Sequence, residues 1–145
     1  MRRRRLSPAR ESDPSVFRVG GVSYLRIPAG DARRLATFYE AVFGWSVRSD
    51  RDEPSFADGS RHVIGHFTTD QAVAGEAGVR PYIFVAGIDE TLEKVAALGG
   101  EVVTAPYAEG DLWVATFRDP AGNVIGVWQT GPRGPDASQH DAAGP

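Results

Sequence analysis

Residues 62–67 read HVIGHF, and residues 123–128 read NVIGVW. The two phrases share Val-Ile-Gly in the same places. Each follows a turn sequence, Asp58-Gly59 in the first case and Asp119-Pro120-Ala121-Gly122 in the second. A short apolar run behind a Gly-containing turn reads as a strand, and a strand said twice points to a module built twice. The flanking patterns match as well. Before the first copy, Val22 to Ile27 reads as a strand and Pro28-Ala29-Gly30 breaks it. Asp31 can then cap a helix to about Phe43, whose stripe of Leu35, Phe38, Tyr39 and Val42 has helical spacing and which Gly44 ends. Trp45 to Arg48, a short run near Phe56, and Arg61 to Thr68 supply three more strands.

The second copy closes the same order. Arg80 to Val85 is a strand, and Asp89 caps a helix with a stripe of Leu92, Val95 and Ala96 that Gly99-Gly100 ends. Glu101 to Thr104, Leu112 to Arg118 and Val124 to Gln129 follow as strands. Both halves are therefore βαβββ. The turn Asp119-Pro120-Ala121-Gly122-Asn123 is structural, because Pro presets φ and Gly accepts a left-handed one.

The chain of 145 residues is one domain's worth, with 41% hydrophobic residues, enough for an ordinary core. There is no Cys, which excludes disulfides and thiolate sites, and the net charge of −3 argues against nucleic acid as a partner. Residues 1–14, opening Met1-Arg2-Arg3-Arg4-Arg5, are expected as a disordered basic tail, residues 15–130 as one domain with modules at about 20–70 and 78–130, and residues 131–145 as a disordered C-terminal tail. No apolar run approaches the ~20 residues of a membrane helix, so no membrane partner and a cytoplasmic location are expected.

Two βαβββ units, with FYEAVFGW at residues 38–45 and DPAGNVIGVWQ at residues 119–129, resemble the vicinal oxygen chelate superfamily of glyoxalases, bleomycin-resistance proteins and extradiol dioxygenases. The resemblance covers nearly all of the folded region. It implies an α+β fold in which two tandem modules form a U-shaped curved mixed sheet, with helices on the convex side and a ligand on the concave side. It also implies up to four metal positions, from the first and last strand of each module. Aligning the two halves places these at Val22, Gly65, Arg80 and Gly126. None can bind a cation, since Val and Gly lack a donor and Arg is a permanent cation. His62 and His66 lie ~13 Å apart if the run is a strand, too far to share an ion at ~2.0–2.1 Å. Their parity, opposite to Gly65, predicts one His at the rim and one partly buried and hydrogen-bonded. No metal and no cofactor are expected.

Strand alternation then gives the concave face. Tyr24 and Arg26 go with Val22, Tyr82 and Phe84 with Arg80, Val63 and Phe67 with Gly65, and Val124 and Trp128 with Gly126. The expected ligand-binding residues are Tyr24, Arg26, Phe67, Arg80, Tyr82, Phe84 and Trp128. Leu25, Ile27, Ile64, Ile83, Val85, Ile125 and Val127 are expected in the core. Trp113 and Phe117 fit either wall or core. Aromatic faces suit a planar apolar body and Arg suits an oxyanion. The alternative for Arg26 and Arg80 is an ion pair with Glu101, Glu109 or Asp111. The leading expectation is metal-independent binding of a small aromatic or anionic molecule. A metal-independent isomerase, cyclase or lyase, with Tyr24, Tyr82 or one of those carboxylates moving protons, is the alternative. A metal-dependent lyase or dioxygenase comes third, and an interaction module with a vestigial cavity fourth. Open sheet edges make a homodimer a further expectation.

Overall fold

The computed structural model describes residues 15–134. The basic N-terminal run, His140 and the last residues of the C-terminal tail lie outside the described residues. Ten elements follow in chain order: β1 (Tyr24–Pro28), α1 (Ala32–Phe43), β2 (Ser46–Arg48), β3 (Ser55–Ala57), β4 (Ile64–Thr68), β5 (Tyr82–Phe84), α2 (Ile88–Ala97), β6 (Glu101–Glu109), β7 (Leu112–Arg118) and β8 (Val124–Thr130). This is βαβββ twice. The strands are hydrogen-bonded as two four-stranded mixed sheets, β1-β4-β3-β2 and β5-β8-β7-β6, rather than as one continuous ladder. In each sheet the first strand runs parallel to the last, and the other pairs are antiparallel.

Helix α1 forms where its stripe and caps agree. Asp31 Oδ1 accepts from Arg34 N at 3.1 Å, and Gly44 at φ 70 closes the last turn through a bond to the Glu40 carbonyl. Leu35, Phe38, Tyr39 and Val42 are buried. Helix α2 is capped differently from the sequence expectation. Gly87 is the N-cap and offers no side chain, while Asp89 is the second residue of the helix, within its first turn. The first backbone donor of the helix is met from β8: Ile88 N donates to Gln129 Oε1 at 2.7 Å, in a buried bond. A helix end needs an acceptor but not one from its own sequence. Asp89 instead holds Arg133 at 3.0 Å, and Arg133 lies over the Trp113 ring at 5.2 Å. The packed chain therefore runs past residue 130.

The modules join through a buried polar knot. Tyr39 donates to Asp119 Oδ2 at 2.8 Å, and Asp119 Oδ1 accepts from the backbone of Ala121, Gly122 and Asn123. Asn123 reaches back to the Pro28 carbonyl at 2.8 Å. Phe38 and Phe43 of α1 meet Phe117 of β7 across the same junction, at 6.0 and 5.8 Å between centroids. Burial raises the Asp119 carboxyl against the lowering effect of its hydrogen bonds. It raises the Tyr39 phenol well above its ordinary value, with Asp119 adding to the effect.

Candidate functional site

Each sheet has one face packed into the core and one left open. In the second sheet the faces fall as alternation predicts. Tyr82 pairs with Gly126 and Phe84 with Trp128, and side-by-side partners share a face. The Tyr82 ring lies across Gly126, so a Cβ there would overlap it. Phe84 and Trp128 meet edge to face at 4.8 Å. Tyr107, opposite Val114, extends this aromatic shelf from β6. Ile83, Val127, Ile125, Ala115 and Phe117 face inward, which assigns Phe117 to the core.

In the first sheet the last strand faces the other way from expectation. Tyr24 pairs with Ile64, Leu25 with Gly65, Arg26 with His66, and Ile27 with Phe67. Ile64 and His66 therefore share the open face with Tyr24 and Arg26. Gly65 and Phe67 turn inward with Leu25 and Ile27. Phe67 is fully buried against Tyr39 and Phe56, at 5.6 and 5.0 Å, so its expected place on the ligand face is corrected. Ile64, expected in the core, is correspondingly exposed. The physical reason is register. Aligning the two Val-Ile-Gly phrases letter by letter displaced β4 by one residue, which exchanges its faces.

The corrected register puts a polar row across the first sheet. Arg26 neighbours His66, His66 neighbours Ser55, and Ser55 neighbours Arg48. Beside it lies a hollow of about 660 Å³ lined by Tyr24, Arg48, Asp50, Arg51, Asp52, Glu53, Ser55 and His66. Tyr24 Oη lies 2.7 Å from His66 Nδ1, and His66 Nε2 lies 3.4 Å from Glu53 Oε1. Glu53 is fixed from behind. Its Oε2 accepts from Thr69 N at 3.0 Å and from Thr68 Oγ1 at 2.9 Å, and these bonds hold its carboxyl below the usual range. An ionised Glu53 only accepts, so its place beside Nε2 favours the tautomer with the proton there, in which Nδ1 accepts from Tyr24.

The other expected site residues divide by module. Tyr24 and Arg26 are exposed on the first sheet, and Tyr82, Phe84 and the half-buried Trp128 on the second. Among the described residues no hydrogen bond or ring contact links one set to the other. Arg80 stands before β5, within 3.5 Å of the Glu76 carbonyl. Of the carboxylates weighed for Arg26 and Arg80, Glu101 is taken by Arg118 at 2.8 Å. His62 is at the rim, against the Ser15 backbone. Glu53 was missed by sequence reasoning. It stands in an irregular loop, and neither spacing nor alternation marks it.

The donor chemistry does not fit a resident divalent ion. On the open faces His66 and Glu53 approach each other; Asp50 and Asp52 also line the hollow, but no three His, Asp or Glu side chains converge on one point among the described residues. Val22 lies outside the ladder and Gly65 faces the core, so two of the four expected metal positions are not on the open faces at all.

Residues 25–128 match the family model described as a glyoxalase-like domain. The chain belongs to that family. Its fold is that of the glyoxalase, bleomycin-resistance and dioxygenase superfamily. It is 27% identical over 128 residues to CFP32 of Mycobacterium bovis, a protein named as a glyoxylase, covering 79% of this chain and 48% of that one. The chain thus spans about half the length of the curated relatives it matches. Among solved structures it is similar to TnmS3, an antibiotic binding protein from Streptomyces sp. CB03234, at TM-score 0.62 and 19% identity over 78% of this chain and 98% of that one. It is also similar to the fosfomycin resistance protein FosX from Listeria monocytogenes, at TM-score 0.64 and 14% identity over 79% and 96%. At these identities the structures speak for the fold alone.

Proposed function

We propose that this glyoxalase-like chain binds a small aromatic or anionic molecule on the open sheet faces, without a metal ion. The observation that carries the reading is the pairing of surfaces. An aromatic shelf of Tyr82, Phe84 and Trp128 and a polar hollow with Arg48 and Tyr24 are both left uncovered by the chain's own core. Exposed aromatic side chains grouped on one face mark binding surfaces more often than chance exposure does. The names of TnmS3, an antibiotic binding protein, and FosX, a fosfomycin resistance protein, suggest an antibiotic as the molecule bound. A homodimer that sets one copy's first sheet against the other's second sheet would give the ligand both half-sites, and it belongs to the same proposal.

The test is a thermal-shift screen of the purified chain with aromatic carboxylic acids and aromatic antibiotics, in the presence and absence of a chelator. Ligands of the native state raise the melting temperature by mass action. The expected hit stabilises equally in both conditions and loses its effect in Trp128→Ala or Tyr82→Ala. Stabilisation that appears only with an added divalent cation would refute the metal-free reading. A specific observation favours a second reading, turnover: Tyr24 is bonded to a histidine that is itself backed by a carboxylate.

A further inference from the structure

The hollow on the first sheet contains more than binding requires. Four tyrosines are present. Tyr39 is buried and committed to Asp119. Tyr24, Tyr82 and Tyr107 are similarly exposed, at 50%, 45% and 41%. Of these three, Tyr24 alone has a base against its hydroxyl, at 2.7 Å. Behind that base stands Glu53, anchored by two threonines of β4 and the turn after it. Arg26 and Arg48 flank His66 and Ser55 in the cross-strand row, and neither has a carboxylate partner among the described residues. Asp50 and Asp52 also line the hollow, from the loop at its rim. A hydroxyl bonded to an oriented base is the general arrangement of an activated acid–base or nucleophilic group.

We propose that Tyr24, His66 and Glu53 form a proton relay with Tyr24 as the catalytic residue, acting on small oxyanion-bearing molecules that carry an ionisable O–H or C–H and are held by Arg48. The step balances without a co-reactant. The Tyr24 O–H bond breaks as its proton passes to His66 Nδ1. The phenolic oxygen takes the proton of the bound molecule. The imidazolium so formed faces the Glu53 carboxylate through Nε2–H. Reversal returns a proton to the same atom, as exchange, or to a neighbouring one, as isomerisation. Glu53 is a positioning residue here. It fixes the imidazole tautomer and compensates the transient charge. The relay rests on the ligand-binding reading only for the face it occupies.

The test compares tyrosines within one molecule. The full chain is treated with 4-(fluorosulfonyl)benzoate and, separately, with neutral benzenesulfonyl fluoride, and each site is followed by mass spectrometry. In sulfonylation the Tyr O–S bond forms, S–F breaks, fluoride leaves and the phenolic proton goes to His66. Tyr24 is expected to react at least about tenfold faster than Tyr82 and Tyr107. His66→Gln should reduce it to their rate and Glu53→Gln should lower it partway, with Tyr82 and Tyr107 unchanged in both. The carboxylate probe should outpace the neutral one at Tyr24, and Arg48→Gln should erase that preference. Equal rates at the three tyrosines of the unmodified protein would overturn the relay, a result that needs no variant to fold. A rate advantage that survives His66→Gln would also overturn it, and a missing preference for the carboxylate probe would overturn the anion class. Screening hits that persist beside equal tyrosine rates would sink the relay and leave the binding reading standing. Fast Tyr24 labelling without any hit would do the reverse.

Discussion

Gly65 and Gly126 occupy the same place in the same phrase, yet Gly65 faces the core and Gly126 faces outward. In both cases an aromatic ring from a neighbouring strand lies where a side chain would be, Phe56 over Gly65 and Tyr82 over Gly126. Glycine in a sheet covered by an aromatic neighbour is a recurrent device. The chain uses it once to close a core and once to shape a surface. The repeat preserved the backbone requirement, and the pairing partner decided the face. The first open face thus received His66 and the second received Trp128. One module presents a polar hollow and the other an aromatic shelf.

The largest test of this difference is to add a methyl at each glycine. In Gly65→Ala the new Cβ would overlap the Leu25 carbonyl oxygen and lie 2.7 Å from the Phe56 ring, and neither has room to move. A cost of about 3 kcal/mol or more is expected, read as a fall in melting temperature of roughly 6–12 °C. In Gly126→Ala the obstacle is the half-exposed Tyr82 ring, which can swing outward. The expected cost is below about 1 kcal/mol, with ligand affinity altered more than stability. Equal losses at the two positions would break the comparison.

The junction between modules comes next. Tyr39→Phe removes one donor from the buried Asp119 and should cost about 1–3 kcal/mol by chemical denaturation. A change within ~0.5 kcal/mol would mean that the knot does not hold the modules together.

A smaller effect separates the two carboxylates by pH. Glu53 has a folded-state pKa below its ordinary 4.5, so its stabilisation is present above that value and lost as pH falls through the folded pKa. Asp119 has a folded-state pKa above its ordinary 3.8. Its contribution has the opposite slope, with stability falling as pH rises through the folded pKa. In a pH series of melting temperatures, Glu53→Gln should flatten the acid-side loss. A variant that keeps the full loss would show that the Thr68 and Thr69 bonds to Glu53 carry no linkage.

Much of this architecture was legible in the sequence, for reasons that can be named. The α1 stripe, its Asp31 cap and Gly44 are local signals, and the turn Asp119-Pro120-Ala121-Gly122-Asn123 marks the end of β7. The faces of β1, β5 and β8 followed from alternation. The face of β4 did not, because alternation fixes which residues share a side and leaves open which side that is. Three identical letters suggested the wrong choice. The Gln129 cap of α2 and the Glu53 partner of His66 are contacts between distant segments, 41 residues apart for the cap. No local pattern encodes such a meeting. His66 is partly buried and hydrogen-bonded, as one of the two histidines was expected to be, but its partner Tyr24 and its place on the open face are set by the pairing of β1 with β4.

The absence of cysteine from the chain allows the facing of the two phrases to be measured directly. Single cysteines at residues 64, 67, 127 and 128 can be timed against a thiol reagent under native conditions, after a cooperative melt confirms that each variant is folded. Ile64→Cys and Trp128→Cys should react quickly, while Phe67→Cys and Val127→Cys, at fully buried positions, should stay protected until unfolding. Fast reaction at residue 67 with protection at residue 64 would reverse the face of β4, and with it remove His66 from the hollow.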